Sequence, residues 1–102
     1  MTTSVAVTNF LDGLAIASVD GKQYHVDEEG KPIYSEVFDR VSVFEGGIAI
    51  AFKNGKCFYI HTDGETLYNE KYDDLTPFQG ETAWARSGDK WKKIRRDGTI
   101  AE

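Results

Sequence analysis

A 34-residue internal repeat is the feature that most constrains how this chain can fold. Phe10, Phe44 and Phe78 lie 34 residues apart, and a similar segment follows each of them. Residues 10–43 and 44–77 are identical at 11 of 34 positions without an insertion, whereas unrelated sequences of ordinary composition would share about two. Such a chain is expected to fold as equivalent units that pack on one another.

The pattern inside each copy predicts β-strands and not the helices of other 34-residue repeats. Ile16 lies between Ala15 and Ala17, and the copies keep this period of two, which is typical of strands. Asp20-Gly21 and Asn54-Gly55 are hairpin-turn signals between apolar runs. For the first copy we expect strands at about 14–19 and 22–27, a turn at Glu29-Gly30, and short strands near 32–34 and 39–43.

The same alternation predicts which side chains form the core. Leu14 and Ile16 are expected to share one face with Tyr24 and Val26. The alanines on the other face would let a neighbouring layer approach closely. The three repeat phenylalanines are expected to form a symmetric aromatic cluster.

The ends of the chain leave two architectures open. The third copy, residues 78–102, is nine residues shorter than the others, and residues 1–9 precede the first copy. Residues 4–8 could pair with the third copy and close a pseudo-threefold structure, as first and last strands do in propellers. Alternatively, residues 1–9 cap one end of an open, stacked β-meander.

The predicted fold class is all-β, with residues 1–102 as one domain: an N-terminal strand (1–9) and repeats 10–43, 44–77 and 78–102. Closure would predict a monomer, and an open stack self-association through exposed edges.

Composition restricts the function classes. The net charge is −5 at pH 7, which disfavours general coating of DNA. Cys57 is the one cysteine, so no internal disulfide is possible. No signal peptide and no membrane-spanning run is evident, which makes a cytoplasmic location the expectation.

The repeat pattern resembles a known family. The succession F-x-x-G-x-A-x-A, then G-K-x-Y/F-x-V/I with a later Gly, then Y/F-D, is similar to the bacterial WG-repeat (KWG) family from Phe10 to Ala101. The Trp-Gly that names this family follows the hairpin lysine, where this chain has Gln23, Cys57 and Trp91. The resemblance implies tandem β-rich repeats and an interaction role, and it brings no catalytic residues with it.

Catalytic and metal-binding patterns are weak. His25 and His61 occupy different positions of the repeat, which argues against a symmetric metal site. Cys57 is interpreted as a small packing residue. No cofactor, metal or catalytic residue is predicted, and an enzyme is not the expectation.

Charge is distributed unevenly between the copies. Residues 10–43 carry a net charge of −4, residues 44–77 of −3 and residues 78–102 of +2. The basic excess lies in the predicted strand around Trp91, where Trp91, Lys93 and Arg95 would share one face. The candidate partner-binding residues are Lys90, Trp91, Lys92, Lys93, Arg95 and Arg96.

Three partner hypotheses follow, besides the possibility that the basic strand only balances acidic neighbours. The first, which we favour, is a non-enzymatic protein-binding or scaffolding module. The second is a small acidic inhibitor, of the phage anti-defence or toxin-immunity type, that covers a basic partner. The third is a weak binder of single-stranded nucleic acid through Lys90–Arg96. The second hypothesis would use the acidic residues Asp27, Glu28, Glu29, Asp39, Asp73 and Asp74.

Overall fold

The computed structural model describes residues 5–101, which form nine β-strands and, within that range, no helix that could cross a membrane. These strands form three antiparallel sheets of three consecutive strands each. Both the all-β class and the tandem arrangement are therefore confirmed. Sheet 1 contains β1 (Val5–Val7), β2 (Ala15–Val19) and β3 (Lys22–Val26); sheet 2 contains β4 (Arg40–Val41), β5 (Ala49–Lys53) and β6 (Lys56–Ile60); sheet 3 contains β7 (Asp74–Leu75), β8 (Thr82–Ser87) and β9 (Lys90–Arg95).

The last two strands of each sheet form a hairpin, and the tight turn of that hairpin has the backbone conformation that its residues predict. Positive φ occurs at both Asp20 (53°) and Gly21 (79°), and again at both Asn54 (55°) and Gly55 (79°). This is the pattern of type I′ turns, whose twist matches that of the flanking strands. In the third hairpin Gly88 alone has positive φ, at 63°, as in a type II′ turn.

Strand β1 completes sheet 1, so the hypothesis of closure is wrong. Val7 pairs with Ala17 in the same way that Val41 pairs with Ala51 in sheet 2. The next backbone N–H, of Thr8, donates to Ile16. A short connection suffices for this antiparallel pairing, whereas pairing with the third copy would need the chain to span a molecule 50 Å long. Of the predicted closing segment 4–8, residue 4 lies outside the described residues.

The three sheets form an open stack in which each consecutive pair encloses an apolar cluster. The first cluster places Ile16 of sheet 1 with Ala49, Ala51 and Phe58 of sheet 2. The second cluster repeats this arrangement one unit further along. The alanines are almost fully buried, which agrees with the expectation that they admit a close neighbouring layer. In the second cluster Ile50, Ala83 and Ala85 take the places of Ile16, Ala49 and Ala51.

The expected composition of the faces was wrong in one respect. In the register of β2 and β3, Tyr24 is opposite Ala17 and Val26 is opposite Ala15, while Ile16 is opposite His25. Directly opposed residues in an antiparallel pair project to the same side. Tyr24 and Val26 therefore share the alanine face. Both faces of an inner strand are buried, so the polarity of its side chains did not indicate which residues lie on which face.

The predicted symmetric cluster of phenylalanines is also wrong. The Phe44 ring lies 4.4 Å from the His25 ring, and the Phe78 ring lies 4.8 Å from the Tyr59 ring. Phe10 is 44% exposed. In a linear stack equivalent residues are separated by a whole unit, so Phe44 and Phe78 each pack on the preceding sheet and not on their counterparts.

Candidate recognition surface

The outer face of sheet 3 carries aromatic and basic side chains on two neighbouring strands. The register of β8 and β9 places Trp84 opposite Lys93 and Arg86 opposite Trp91. Trp91, Lys93 and Arg95 share this face, as the alternation predicts. We call this surface the end face; it consists of Thr82, Trp84, Arg86, Trp91, Lys93 and Arg95.

The end face corresponds to surfaces that are buried in the rest of the stack. Trp84 and Trp91 are each 47% exposed, whereas their counterparts one repeat earlier, Ile50 and Cys57, are 6% and 0% exposed. Lys93 is exposed at the position of Tyr59 in sheet 2, which is 1% exposed. Large exposed aromatic side chains on one contiguous face are characteristic of binding surfaces.

The cations of the end face lie over its tryptophans. The Lys93 ammonium is 5.5 Å from the Trp84 ring centre, and the Arg86 guanidinium is 6.0 Å from that of Trp91. Such cation–π contacts are worth about 0.5–1 kcal/mol at exposed sites. Both tryptophans nevertheless remain about half exposed, at 47% each.

The remaining predicted basic residues have different surroundings. Arg95 donates to the carbonyl oxygen of Ile100 at 2.5 Å, and Arg96 donates to that of Gly80 at 2.8 Å. The Arg96 guanidinium also lies 4.9 Å from the ring centre of Phe78. Lys90 and Lys92 alternate onto the opposite face of β9, on the side of the buried Ile94. The six predicted residues therefore do not form one surface.

Sequence reasoning missed Trp84 and Arg86. Trp84 stands in the repeat at the position of Ile16 and Ile50, which the pattern assigned to the core. One sequence feature could have indicated them: the third copy has Trp84 where the other two have isoleucine, and the same copy has Lys93. Because those two changes fall on directly opposed residues, they alter one patch together.

The predicted acidic surface is divided between two places. Asp39 pairs with Lys22 and Asp73 pairs with Lys56, at the start of β3 and of β6. Asp27 follows the other end of β3, where its carboxylate accepts backbone N–H bonds from a turn. Five residues of strand, or about 16 Å, separate the two places. Glu28 and Glu29 are exposed beside Asp27, and Asp74 is half-buried in β7.

Asp39 and Asp73 join consecutive units. The Asp39 carboxylate bonds to Lys22 of the first hairpin and also accepts the N–H of Asn54 in the second. Asp73 bonds to Lys56 and accepts the N–H of Gly88 in the third hairpin. The hydrogen bonds from the lysines are the main cause that lowers the pKa of both carboxyl groups. These acids therefore have structural partners already.

The side chains most capable of chemistry are used in packing. His25 is 1% exposed, with Nδ1 2.6 Å from the Tyr34 hydroxyl and Nε2 2.8 Å from the Ser42 carbonyl oxygen. Cys57 is buried, which raises the pKa of its thiol to about 11 and makes it unreactive. Residues 5–101 contain no group of three side chains placed to hold a metal ion.

A groove with a volume of about 430 Å³ lies between the first two units. Its lining has mixed charge, including Glu36, Glu65 and Lys71. The Lys71 ammonium lies 5.8 Å from the Phe58 ring centre, and Lys56 is paired with Asp73. The groove therefore carries charges of both signs, whereas the charged side chains of the end face are all cationic.

The comparisons with known proteins identify a repeat family. A family model described as a WG containing repeat matches residues 26–57 and 58–91, two adjacent stretches that together cover more than half of the chain. Searches of curated proteins and of solved structures found no match. The two family matches end at Cys57 and Trp91, which are equivalent positions of the repeat found in the sequence.

Proposed function

Because the chain belongs to the WG-containing repeat family, we propose that it is a non-enzymatic protein-recognition module that binds an acidic protein surface through the end face of sheet 3. Membership of a family of tandem β-repeats supports an interaction role. Neighbouring copies in such folds create extended surfaces, and individual copies are free to diverge.

One observation carries the choice of the end face. The residues that face a neighbouring sheet in the first two copies are replaced in the third by two half-exposed tryptophans and by cations. A unit that merely ended the stack would need a polar outer face. Tryptophan and arginine are the residue types most enriched among those that dominate binding energy.

An acidic partner is favoured by the charge of the surface. The end face contains Arg86, Lys93 and Arg95 and no acidic side chain. A carboxylate of the partner would gain from these cations, while an apolar group would bury the exposed ring faces of Trp84 and Trp91. Complementary charge would also accelerate association and make it sensitive to salt.

Affinity capture with matched variants tests this proposal. The wild type is compared with Trp84→Ser/Lys93→Glu, which reverses one charge of the end face, and with Glu28→Lys, which reverses one charge of an exposed acidic turn. Nuclease treatment precedes capture. We expect a stoichiometric acidic protein that the first variant loses and the second retains.

The other outcomes distinguish the competing hypotheses. A basic protein that is lost only in the acidic-turn variant would overturn the proposal in favour of an inhibitor that covers a basic partner. Capture that disappears on nuclease treatment would favour single-stranded nucleic acid, and log Kd would then depend steeply on salt concentration. A partner retained equally by both variants would show that the end face does not bind it, and would overturn the proposal.

A further inference from the structure

The two internal interfaces of the stack share one packing device. At the first interface Phe44 of the second copy lies on His25 of sheet 1, and at the second Phe78 of the third copy lies on Tyr59 of sheet 2. Lys93 occupies the position in the third copy that His25 and Tyr59 occupy in the first and second copies. Within residues 5–101, the Lys93 position receives no phenylalanine of this kind.

The space at the third position is open and suitably shaped. The cavity beside Tyr59 and Phe78 has a volume of only about 10 Å³, because Phe78 fills it. The cavity lined by the equivalent residues of sheet 3, including Thr76, Trp84 and Lys93, has a volume of about 320 Å³. The end face therefore contains a preformed socket of the kind that a repeat phenylalanine occupies elsewhere in the molecule.

The opposite end of the stack exposes the matching group. Phe10 is the repeat phenylalanine of the first copy, and it is 44% exposed. Val7 is 51% exposed, whereas its counterparts Val41 and Leu75 are 5% and 6% exposed because they pack on the preceding sheet. We call Val7–Phe10 the leading segment.

The leading segment is already in the conformation that the internal interfaces use. The Thr8 N–H donates to the carbonyl oxygen of Ile16, as the Ser42 N–H does to that of Ile50. The Thr8 hydroxyl accepts the N–H of Ile16, as the Ser42 hydroxyl accepts that of Ile50. Docking would therefore need little ordering of the backbone, which lowers its entropic cost.

Charge favours contact between the two ends. Residues 10–43 carry a net charge of −4 and residues 78–102 a net charge of +2. A phenylalanine in the socket would also meet the Lys93 ammonium, a cation–π arrangement that Arg96 and Phe78 already form nearby.

From these observations we propose that the occupant of the end face is a second copy of this chain, which inserts Phe10 into the socket of Thr76, Trp84 and Lys93 and places Val7 against Trp84. This inference rests on the proposed function, since it names the partner of the same face. The contact is heterologous, so each bound copy presents a further end face and assembly continues as a linear array.

Complementation between two monomeric variants tests this contact. Phe10→Asp removes the inserted group and leaves the end face intact, while Lys93→Glu changes the socket and leaves the leading segment intact. Both positions are exposed, so folding should persist, and circular dichroism checks it. Sedimentation velocity of the wild type should show a mass that grows with concentration, and each variant alone should associate at least about thirtyfold more weakly.

The equimolar mixture of the two variants is the decisive sample. The intact end face of Phe10→Asp should accept the intact leading segment of Lys93→Glu, which gives a 1:1 dimer and nothing larger. Val37→Asp is the matched control, because Val37 is 46% exposed and lies in the connection between sheets 1 and 2; it should assemble like the wild type.

Three results would overturn the inference: a wild type that stays monomeric up to about 1 mM, a Phe10→Asp or Lys93→Glu variant that assembles unchanged, or an equimolar mixture of these two variants that stays monomeric. A monomeric wild type that still captures an acidic protein through Trp84 and Lys93 would overturn self-assembly and leave the proposed function standing. If self-assembly occurs but no other protein depends on the end face, the role of the module is to build the array itself.

Discussion

At the scale of single residues, His25 is buried between two hydrogen-bond partners, and this burial favours its neutral form. The Ser42 carbonyl oxygen can only accept, so Nε2 carries the proton and Nδ1 accepts from the Tyr34 hydroxyl. That hydroxyl in turn accepts the backbone N–H of His25. Burial lowers the pKa of His25, partly offset by the bond to Ser42, and burial raises the pKa of Tyr34 to about 12. The network is satisfied only while His25 is neutral.

Replacement of Tyr34 by phenylalanine should reduce stability because it leaves polar groups of His25 buried without partners. We expect a loss of about 1–3 kcal/mol in the free energy of unfolding, measured by urea denaturation. The chain supplies a matched control at the equivalent position: the Tyr68 hydroxyl is buried and has no partner among the described residues. Tyr68→Phe should change stability by less than about 0.5 kcal/mol. Equal losses in the two variants would contradict the assignment.

Stability should also fall as the pH decreases below 6.5, the ordinary pKa of histidine. Because the pKa of His25 is lower in the folded than in the unfolded chain, the unfolded chain binds more protons in this range and gains free energy from them. The contribution is fully present above 6.5. Urea midpoints between pH 7.5 and 5.5 measure it, and His25→Gln should remove this part of the slope. An unchanged slope in that variant would show that other groups cause it.

At the scale of elements, the turn that follows β6 lies directly against the preceding unit of the stack. Gly64 has φ of 84°, and a Cβ there would lie 2.8 Å from Cβ of Tyr34. Gly30, at the equivalent position of the first copy, has the same φ but no atom within 4 Å of such a Cβ. An alanine at Gly30 would therefore introduce backbone strain alone, whereas an alanine at Gly64 would add a steric clash with the preceding unit.

Gly64→Ala should destabilise the protein by more than Gly30→Ala. Both substitutions place alanine at positive φ, at a cost of about 1 kcal/mol. Gly64→Ala additionally forces Tyr34 away from its partners, and we expect a total of about 2–3 kcal/mol. Chemical denaturation of both variants measures the difference. If the two losses were equal, the close approach at Gly64 would not matter to the stack.

The strands and turns were the most predictable part of the fold, because their signals are local. Asp20-Gly21 and Asn54-Gly55 specify their turns through positive φ, and the two-residue period of β2 and β5 follows from pleating. The faces of β3 were not predictable in this way. Tyr24 and His25 look interchangeable in sequence, and the register across the hairpin decides which one meets Ile16.

At the scale of the whole molecule, the sequence implied three equivalent units but not whether the units close. That outcome depends on the partner of β1, and the repeat length is compatible with either architecture. For the same reason the end face could not be predicted as a candidate site from the sequence. The alternating pattern assigned the position of Trp84 to a buried face. Only the open stack shows that this face of sheet 3 has no further sheet of residues 5–101 packed against it. Lys93 and Trp91 were identified because their charge and ring depart from the other copies.

The most direct test of this open stack with a free end face is acrylamide quenching of tryptophan fluorescence in dilute Phe10→Asp protein. The chain contains two tryptophans, and both lie on the end face. We expect both to be readily quenched, with a quenching rate constant of the same order as that of free tryptophan amide. Blue-shifted emission that resists quenching at high dilution would contradict it, since the chain itself would then cover the face to which we assign recognition.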